Sequence, residues 1–243
     1  LVGSLSFAVI VSRAMGLHDP RSYGSGNPGA TNVLRSGSKV AAVLTLLLDA
    51  LKGLIPVLVV KTWGPQWGLG DGALALVALG AFVGHLFPVF FGFKGGKGVA
   101  TALGVLLGIS GWLGLIVLGI WLVVAFVSRY SSMAALLASL GAPVAYLILD
   151  GSLWSVETPL LVAIMVMAAL LVWRHRENIG RLIRGEESQI GGGKKEKQPV
   201  KPALTIRKTK PKAAPKNAAQ VMAEMGAKAE RKPRSTKKNK HKK

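Results

Sequence analysis

Six long apolar runs alternate with polar stretches along most of the chain. A helix that crosses a bilayer needs about 20 apolar residues, with about 17 to 25 as the usual range. Four of the runs fit one crossing each, whereas the first is short and begins without methionine, so we expect N-terminal residues to be missing. The runs are too many and too long for a soluble core, and they predict an all-α, polytopic membrane protein. They occupy residues 1–15, 40–60, 73–91, 99–127, 133–149 and 159–173.

The fourth run is long for a single span and contains glycines and a serine at 108–111. A single crossing would put Arg129 and the basic C-terminus outside the cell and Asp150 and Glu157 inside. Short cytoplasmic loops instead carry an excess of Lys and Arg. A turn at 108–111 restores that rule, so we predict seven transmembrane helices with an external N-terminus and a cytoplasmic C-terminus. The helix before the turn would span only about 16 Å, so it is expected to be short or re-entrant.

Charge divides the chain into two predicted parts, a membrane domain at 1–190 and a tail at 191–243. The chain carries a net charge of +20, and the tail holds eighteen Lys or Arg against three Glu. The tail has several prolines and no aromatic residue, so it should be disordered. We expect its charge to attract anionic lipid headgroups or RNA. The absence of cysteine excludes disulfides, thiolate metal sites and a cysteine nucleophile.

Three polar clusters, at 23–35, 85–101 and 174–184, fall on the predicted cytoplasmic face. The second contains three glycines and two lysines between Lys94 and Thr101. Glycine lets backbone N–H groups turn toward one point, lysine adds positive charge, and a following helix directs its positive end there. This segment predicts a phosphate-binding cradle. It does not match the P-loop spacing, and no βαβ unit surrounds it.

Packing and anchoring are the alternative explanation for many of these residues. Glycine packs membrane helices, and Lys or Arg at helix ends follows from the positive-inside rule. That explanation is favoured for four basic residues, but not for the glycine–lysine segment. His85 lies near the end of an apolar run. It could have a functional role or be a buried neutral histidine, and the sequence does not favour either. Asp49 and Lys52 lie three residues apart, and mutual neutralisation is favoured. The four basic residues are Arg13, Lys39, Arg129 and Arg184.

The three clusters lack the residue patterns that are typical of covalent or metal-dependent catalysis. No Ser-His-Asp order, metal-ligand cluster or carboxylate pair stands in the three clusters, so we expect no metal site and no cofactor. Their side chains bind anions rather than attack electrophiles. The clusters therefore favour a reaction in which activated substrates are held in orientation by their phosphates.

The sequences GSGNPGATNVLR at 24–35, GHLFPVFFGFKGGKGVAT at 84–101 and WRHRENIGRLIRG at 173–185 resemble a known family. They are similar to the three motifs of the bacterial acyl-phosphate-dependent glycerol-3-phosphate acyltransferases, in the same order, and the resemblance extends from about Gly3 to Gly185. It implies seven helices in the bacterial inner membrane and a cytoplasmic active site. The implied reaction moves a fatty acyl group from acyl phosphate to the sn-1 hydroxyl of glycerol 3-phosphate. It yields lysophosphatidic acid and phosphate in phospholipid biosynthesis.

The resemblance also implies roles for residues at matching motif positions. Lys97 and the glycine amides would hold acyl phosphate, while Arg35 and the third cluster would hold glycerol 3-phosphate. The donor's own phosphate would accept the hydroxyl proton, and transient contact with the enzyme that forms acyl phosphate is expected. The implied catalytic residues are Ser25, Arg35, His85, Lys97 and Asn178. The implied substrate-binding residues are Asn27, Gly29, Thr31, Asn32, Lys94, Gly95, Gly96, Gly98, Thr101, His175 and Glu177.

Two other classes of protein remain as alternatives. A transporter of a small organic phosphate would also combine glycines and basic groups with membrane helices, but two related halves would be expected, and no such repeat is evident. A membrane anchor for nucleic acid or ribosomes would use the Lys-rich tail. Both fit the three clusters less well than an acyltransferase does.

Overall fold

The computed structural model describes residues 1–191, so all of the predicted tail except Gly191 lies outside the described residues. Within residues 1–191 the chain is helical and forms no β-strand, which confirms the predicted all-α class. The α-helices of this part are α1 (Phe7–Ala14), α2 (Ala30–Leu34), α3 (Lys39–Trp63), α4 (Asp71–Leu86), α5 (Val99–Ile109), α6 (Gly111–Ser128), α7 (Ser131–Ile148), α8 (Thr158–Arg174) and α9 (Arg176–Ile183).

Four of the helices in residues 1–191, namely α3, α4, α6 and α7, are long and apolar enough to cross a membrane. Helices α8 and α9 make a fifth span if they are counted together, although the chain bends by 56° between them. Helix α1 has 8 residues and α5 has 11, both too short for an ordinary crossing. The chain is therefore a multi-helix membrane protein, while the number seven stays a prediction.

The fourth apolar run breaks into α5 and α6, as its glycines and serine predict. Ser110 separates the two helices with an extended backbone, and its hydroxyl oxygen accepts a hydrogen bond from the N–H of Leu113 at 3.4 Å. A serine in this position supplies a partner to one of the free N–H groups at the start of a helix. The short α5 and the break after it are thus encoded locally.

Helices α3 and α5 approach each other through glycines. A Cβ atom on Gly53 would overlap the carbonyl oxygen of Thr101, and one on Gly104 would overlap that of Ala50. Small residues at such points let the backbones of membrane helices come close and gain packing contacts. The Thr101 hydroxyl adds a hydrogen bond to the Asp49 carbonyl oxygen at 2.9 Å. The close packing of α5 on α3 fixes the position of the start of α5, and with it the end of the segment that precedes α5.

A buried ion pair lies within α3, and its lysine also binds the N-terminal segment. Lys52 Nζ lies 2.7 Å from Asp49 Oδ1, and both residues are 3% exposed. Lys52 also donates a hydrogen bond to the carbonyl oxygen of Leu5 at 2.7 Å. Paired and hydrogen-bonded in this way, the charges avoid the large cost of an isolated buried charge. The predicted pairing of Asp49 with Lys52 is confirmed.

Candidate active site

Residues 92–98, the second part of the segment between α4 and α5, form a tightly packed loop, which we call the glycine loop. Gly98 precedes α5 with a φ of 83°, in the left-handed region that favours glycine. A Cβ atom there would also overlap the Phe82 ring. At Gly95 a Cβ would overlap the carbonyl oxygens of His85 and Leu86. These glycines are required by space and backbone conformation, and they let the loop fold back on the end of α4.

Arg174, the last residue of α8, holds the outer part of this loop. Its guanidinium donates to the carbonyl oxygen of Gly95 at 2.7 Å and to that of Gly96 at 2.9 and 3.1 Å. The N–H of Gly96 is engaged as well, because it donates to the carbonyl oxygen of His85 at 3.3 Å. The amides suited to an anion are therefore those from Lys97 into the first turn of α5, where helical N–H groups lack intrahelical partners.

Lys97 lies next to the third cluster. Its Nζ donates to Asn178 Oδ1, and Asn178 Nδ2 donates to Glu187 Oε1 at 2.5 Å. Burial lowers the pKa of Lys97 to about 8, the charge of Arg181 acts in the same direction, and Glu187 opposes both. Lys97 therefore keeps a positive charge at neutral pH in a partly dehydrated setting, where it attracts an anion more strongly than a solvated lysine would.

The loop of the first cluster is organised by Asn32, which is 2% exposed. Its amide nitrogen donates to the carbonyl oxygens of Pro20 at 2.6 Å and Tyr23 at 3.2 Å. Its amide oxygen accepts from the N–H of Ser25 at 3.1 Å. With both ends of its side chain engaged, Asn32 shapes the loop and leaves Ser25 exposed at its tip.

A cleft of about 470 Å³ combines residues of all three clusters. This volume is in the range of small-molecule sites, and three cations contribute to its wall. Of the predicted site residues, Lys94 and Gly95 line it, whereas the Lys97–Asn178 pair is a more buried feature nearby. The lining residues are Arg21, Gly26, Pro28, Phe93, Lys94, Gly95 and Arg174.

Other predicted residues differ in their exposure. His85 is buried, with Nδ1 3.6 Å from Asp49 Oδ1 and its opposite ring edge directed at Gly96. Thr101 is fully buried inside α5, where its hydroxyl binds α3 rather than facing the cleft. His175 is buried, and its Nδ1 donates to the Leu171 carbonyl oxygen at 2.8 Å, which leaves Nε2 as an acceptor. Thr31, Arg35 and Glu177 are exposed, while Asn27 and Gly29 are half-buried.

Three residues of this region were not predicted from the sequence. Arg21 is held by Asp19 through a contact of 2.7 Å and lines the cleft. Arg174 fixes the glycine loop, and Glu187 binds Asn178. Arg174 is one of several arginines in the third cluster, and the sequence does not distinguish the one that reaches the loop. No local pattern marks Glu187, since its side-chain partners lie 6, 9 and 55 residues away and none of them at a helical spacing.

The family described as Glycerol-3-phosphate acyltransferase matches residues 1–185, which contain all three clusters. The chain belongs to this family. It is 60% identical over 202 residues to the glycerol-3-phosphate acyltransferase of Paraburkholderia xenovorans (strain LB400), covering 83% of this chain and 92% of the relative. The protein of the same description from Albidiferax ferrireducens is 59% identical over 191 residues, covering 79% and 85%.

Two solved structures share the fold. The crystal structure of PlsY (YgiH), an integral membrane glycerol 3-phosphate acyltransferase, in its glycerol 3-phosphate form has a TM-score of 0.70 and 40% sequence identity. The alignment covers 78% of this chain and 90% of the PlsY chain. The lysophosphatidic acid form of the same protein has a TM-score of 0.70 and 38% identity, covering 79% and 91%. The chain described here is accordingly an enzyme, an acyltransferase acting on glycerol 3-phosphate in a membrane, which confirms the class that the three clusters predicted.

Proposed function

We propose that this enzyme takes its acyl group from acyl phosphate and transfers it to the sn-1 hydroxyl of glycerol 3-phosphate. The products are lysophosphatidic acid and inorganic phosphate. The observation that carries the proposal is the convergence of the glycine loop, Lys97 and Asn178 beside a basic cleft. The related PlsY protein is described in a glycerol 3-phosphate form and a lysophosphatidic acid form, which supports the acceptor and the product.

Two phosphate groups have to be held side by side in this reaction. Lys97, with the free amides at the start of α5, suits the phosphate of the acyl donor, because a half-buried ammonium and helix N–H groups both favour an anion. Arg35 and the third cluster suit glycerol 3-phosphate, since the exposed guanidinium presents a fork to phosphate oxygens. Ser25, Asn27 and the exposed Thr31 and Glu177 would complete the contacts.

The chemical step needs orientation more than a protein base. The hydroxyl oxygen attacks the acyl carbonyl carbon, the new ester C–O bond forms, and the bond between that carbon and the phosphate oxygen breaks. The electron pair leaves with phosphate, which also takes the hydroxyl proton. Holding the two reactants in line supplies up to about 7 to 11 kcal/mol of the barrier reduction in the best-oriented cases. Lys97 stabilises the charge that grows on the departing phosphate.

The donor is tested with membranes that contain the enzyme. They are incubated with labelled glycerol 3-phosphate and either acyl phosphate or acyl-CoA. We expect labelled lysophosphatidic acid from acyl phosphate and none from acyl-CoA. Product formed only with acyl-CoA would refute the proposed donor while leaving the acyltransferase class intact.

We further propose that the enzyme lies in the bacterial inner membrane with its active site and C-terminus in the cytoplasm. The basic residues at the site end of the helices, including Arg174 and Lys97, support this orientation through the positive-inside rule. A reporter fused after Lys243 should give a cytoplasmic signal. An external signal would reverse the orientation and remove the argument for seven spans.

A further inference from the structure

Residues 186–190 follow α9 and run along the same end of the helices as the three clusters. They lie beyond the residues that the family match covers, which end at Gly185. Within this segment the side chain of Glu187 is only 7% exposed, although it carries a carboxylate and sits close to the end of the described chain. A buried carboxylate at such a place has to be held by specific partners.

We propose that Glu187 is a positioning residue of the acyltransferase site, which acts through Asn178 to hold the Lys97 ammonium beside the glycine loop. The inference rests on the proposed role of Lys97 in binding phosphate. Glu187 itself does not reach the substrates in this arrangement.

The direction of the Asn178 amide is the first argument. A lysine ammonium can only donate hydrogen bonds, and an ionised carboxylate can only accept them. Asn178 lies between Lys97 and Glu187, so its oxygen must face Lys97 and its nitrogen must face Glu187. Lys97 and Glu187 both favour this orientation of the amide, and Glu187 anchors its nitrogen end. Without Glu187 the amide loses that anchor, and its oxygen is held less firmly against the ammonium.

The anchoring of Glu187 is the second argument. Its Oε1 accepts from the Ser132 hydroxyl at 2.8 Å as well as from Asn178, and its Oε2 accepts from Arg181 Nε at 2.7 Å. Ser132 belongs to the first turn of α7 and Arg181 to α9, so three separate parts of the chain meet at one carboxylate. A side chain bound in this way loses little further freedom when it orients a neighbour.

One backbone contact and one side-chain contact hold the rest of the segment in place. The N–H of Ile190 donates to the carbonyl oxygen of Arg129 at 2.7 Å, which ties the segment to the junction of α6 and α7. Ser188 Oγ accepts from Arg35 Nη2 at 2.8 Å. The segment therefore contacts Arg35 on one side of the site and Asn178 on the other.

The charge of Glu187 gives the proposal a measurable signature. Burial acts to raise its pKa, but the hydrogen bonds from Asn178, Ser132 and Arg181 prevail and hold the pKa below its usual value, so the group is ionised at neutral pH. The charged groups facing Lys97 are Arg174 at the end of α8, Glu177 and Arg181 on α9, and Glu187. Glu187 raises the pKa of Lys97, and its neutralisation should lower that pKa.

A mutant cycle tests whether Glu187 acts through Asn178. Glu187→Ala, Asn178→Ala and the double variant are assayed for kcat/KM with acyl phosphate at a pH well below the alkaline limb. Loss of a charged hydrogen bond should reduce the Glu187→Ala value by about 10- to 100-fold. The double variant should lose no more than Asn178→Ala alone. Activity of Glu187→Ala within about twofold of wild type, or losses that multiply in the double variant, would overturn the proposal.

The isosteric Glu187→Gln variant provides a second test in case the alanine variant folds poorly. The alkaline limb of its pH profile should move to lower pH, since the negative charge near Lys97 is gone, and an unmoved limb would contradict the proposal. Glu186→Gln is the matched control, because Glu186 is exposed and pairs only with Arg184, at 2.7 Å, within the described residues. It should retain wild-type kinetics. Wild-type enzyme that cannot use acyl phosphate would instead refute the proposed function.

Discussion

At the scale of single residues, the proposed site contains a few side chains that are partly or wholly buried and still carry charge or hydrogen-bonding capacity. Lys97 is the central example, since it is a cation whose partners come from another part of the chain. Lys94, only three residues earlier, is exposed. A solvated lysine attracts an anion weakly, whereas a partly dehydrated one does so strongly. The two lysines of the glycine loop should therefore contribute unequally.

We predict that Lys97→Ala lowers kcat/KM for acyl transfer by about 100- to 1,000-fold, the range found when one donor to a developing anion is removed. Lys94→Ala should cost clearly less, because the charge lost there is exposed. Steady-state kinetics of purified membranes with acyl phosphate measure both. Full turnover by Lys97→Ala would refute the assignment.

The same residue predicts a pH dependence. Because burial lowers the pKa of Lys97 to about 8 from the usual 10.5, the folded enzyme loses this proton at a lower pH than an unfolded chain would. Binding of the anionic donor needs the ammonium form, so kcat/KM should fall as the pH rises through about 8. A profile that stays flat up to about pH 10 would mean that the charge of Lys97 is not required.

At the scale of elements, the position of the glycine loop follows from the packing of α5 on α3. Gly104 and Gly53 bring these helices into close contact, and Thr101 adds a hydrogen bond to α3. Since α5 starts directly after Gly98, any shift of the helix also moves the loop and the amides beside Lys97. A short, tightly packed α5 is thus a support for the site.

Substitution at the helix contact should destabilise the protein. Gly104→Ala would place its Cβ on the Ala50 carbonyl oxygen, and overpacking of this kind costs about 1–3 kcal/mol. Gly119→Ala on α6 is the control, since its Cβ would meet no atom within 4 Å, and alanine gains up to about 1 kcal/mol over glycine in a helix. Thermal unfolding in detergent should show a lower Tm for Gly104→Ala and no decrease for Gly119→Ala. Equal Tm values would argue against the close contact.

At the scale of the whole molecule, the proposed site combines residues from all three clusters. Arg35, Lys97 and Asn178 come from the first, second and third clusters, and Glu187 follows the last helix. The membrane helices act as the frame that brings these positions to one end. The basic tail at 191–243 begins directly after the segment that contacts Arg35 and Asn178.

Two truncations separate the tail from the site. An enzyme ending at Ile190 should keep its kcat/KM, because all the contacts described for the site are retained. An enzyme ending at Gly185 should lose activity by about tenfold or more, since it lacks Glu187 and Ser188. Both are compared after their insertion in the membrane has been verified. Loss of activity on removing 191–243 alone would assign the tail a direct role.

The order of apolar and polar residues by itself determined that the chain is helical, lies in a membrane and breaks within 108–111. Residue type and spacing also identified the glycine–lysine segment, because backbone freedom and charge are local properties. Only the tertiary structure decided that Thr101 and Asn32 bind the protein's own backbone, that Arg174 holds the glycine loop, and that Glu187 contacts Asn178. No periodic sequence pattern pairs these residues, and side-chain chemistry alone does not specify which partner a donor or acceptor will meet.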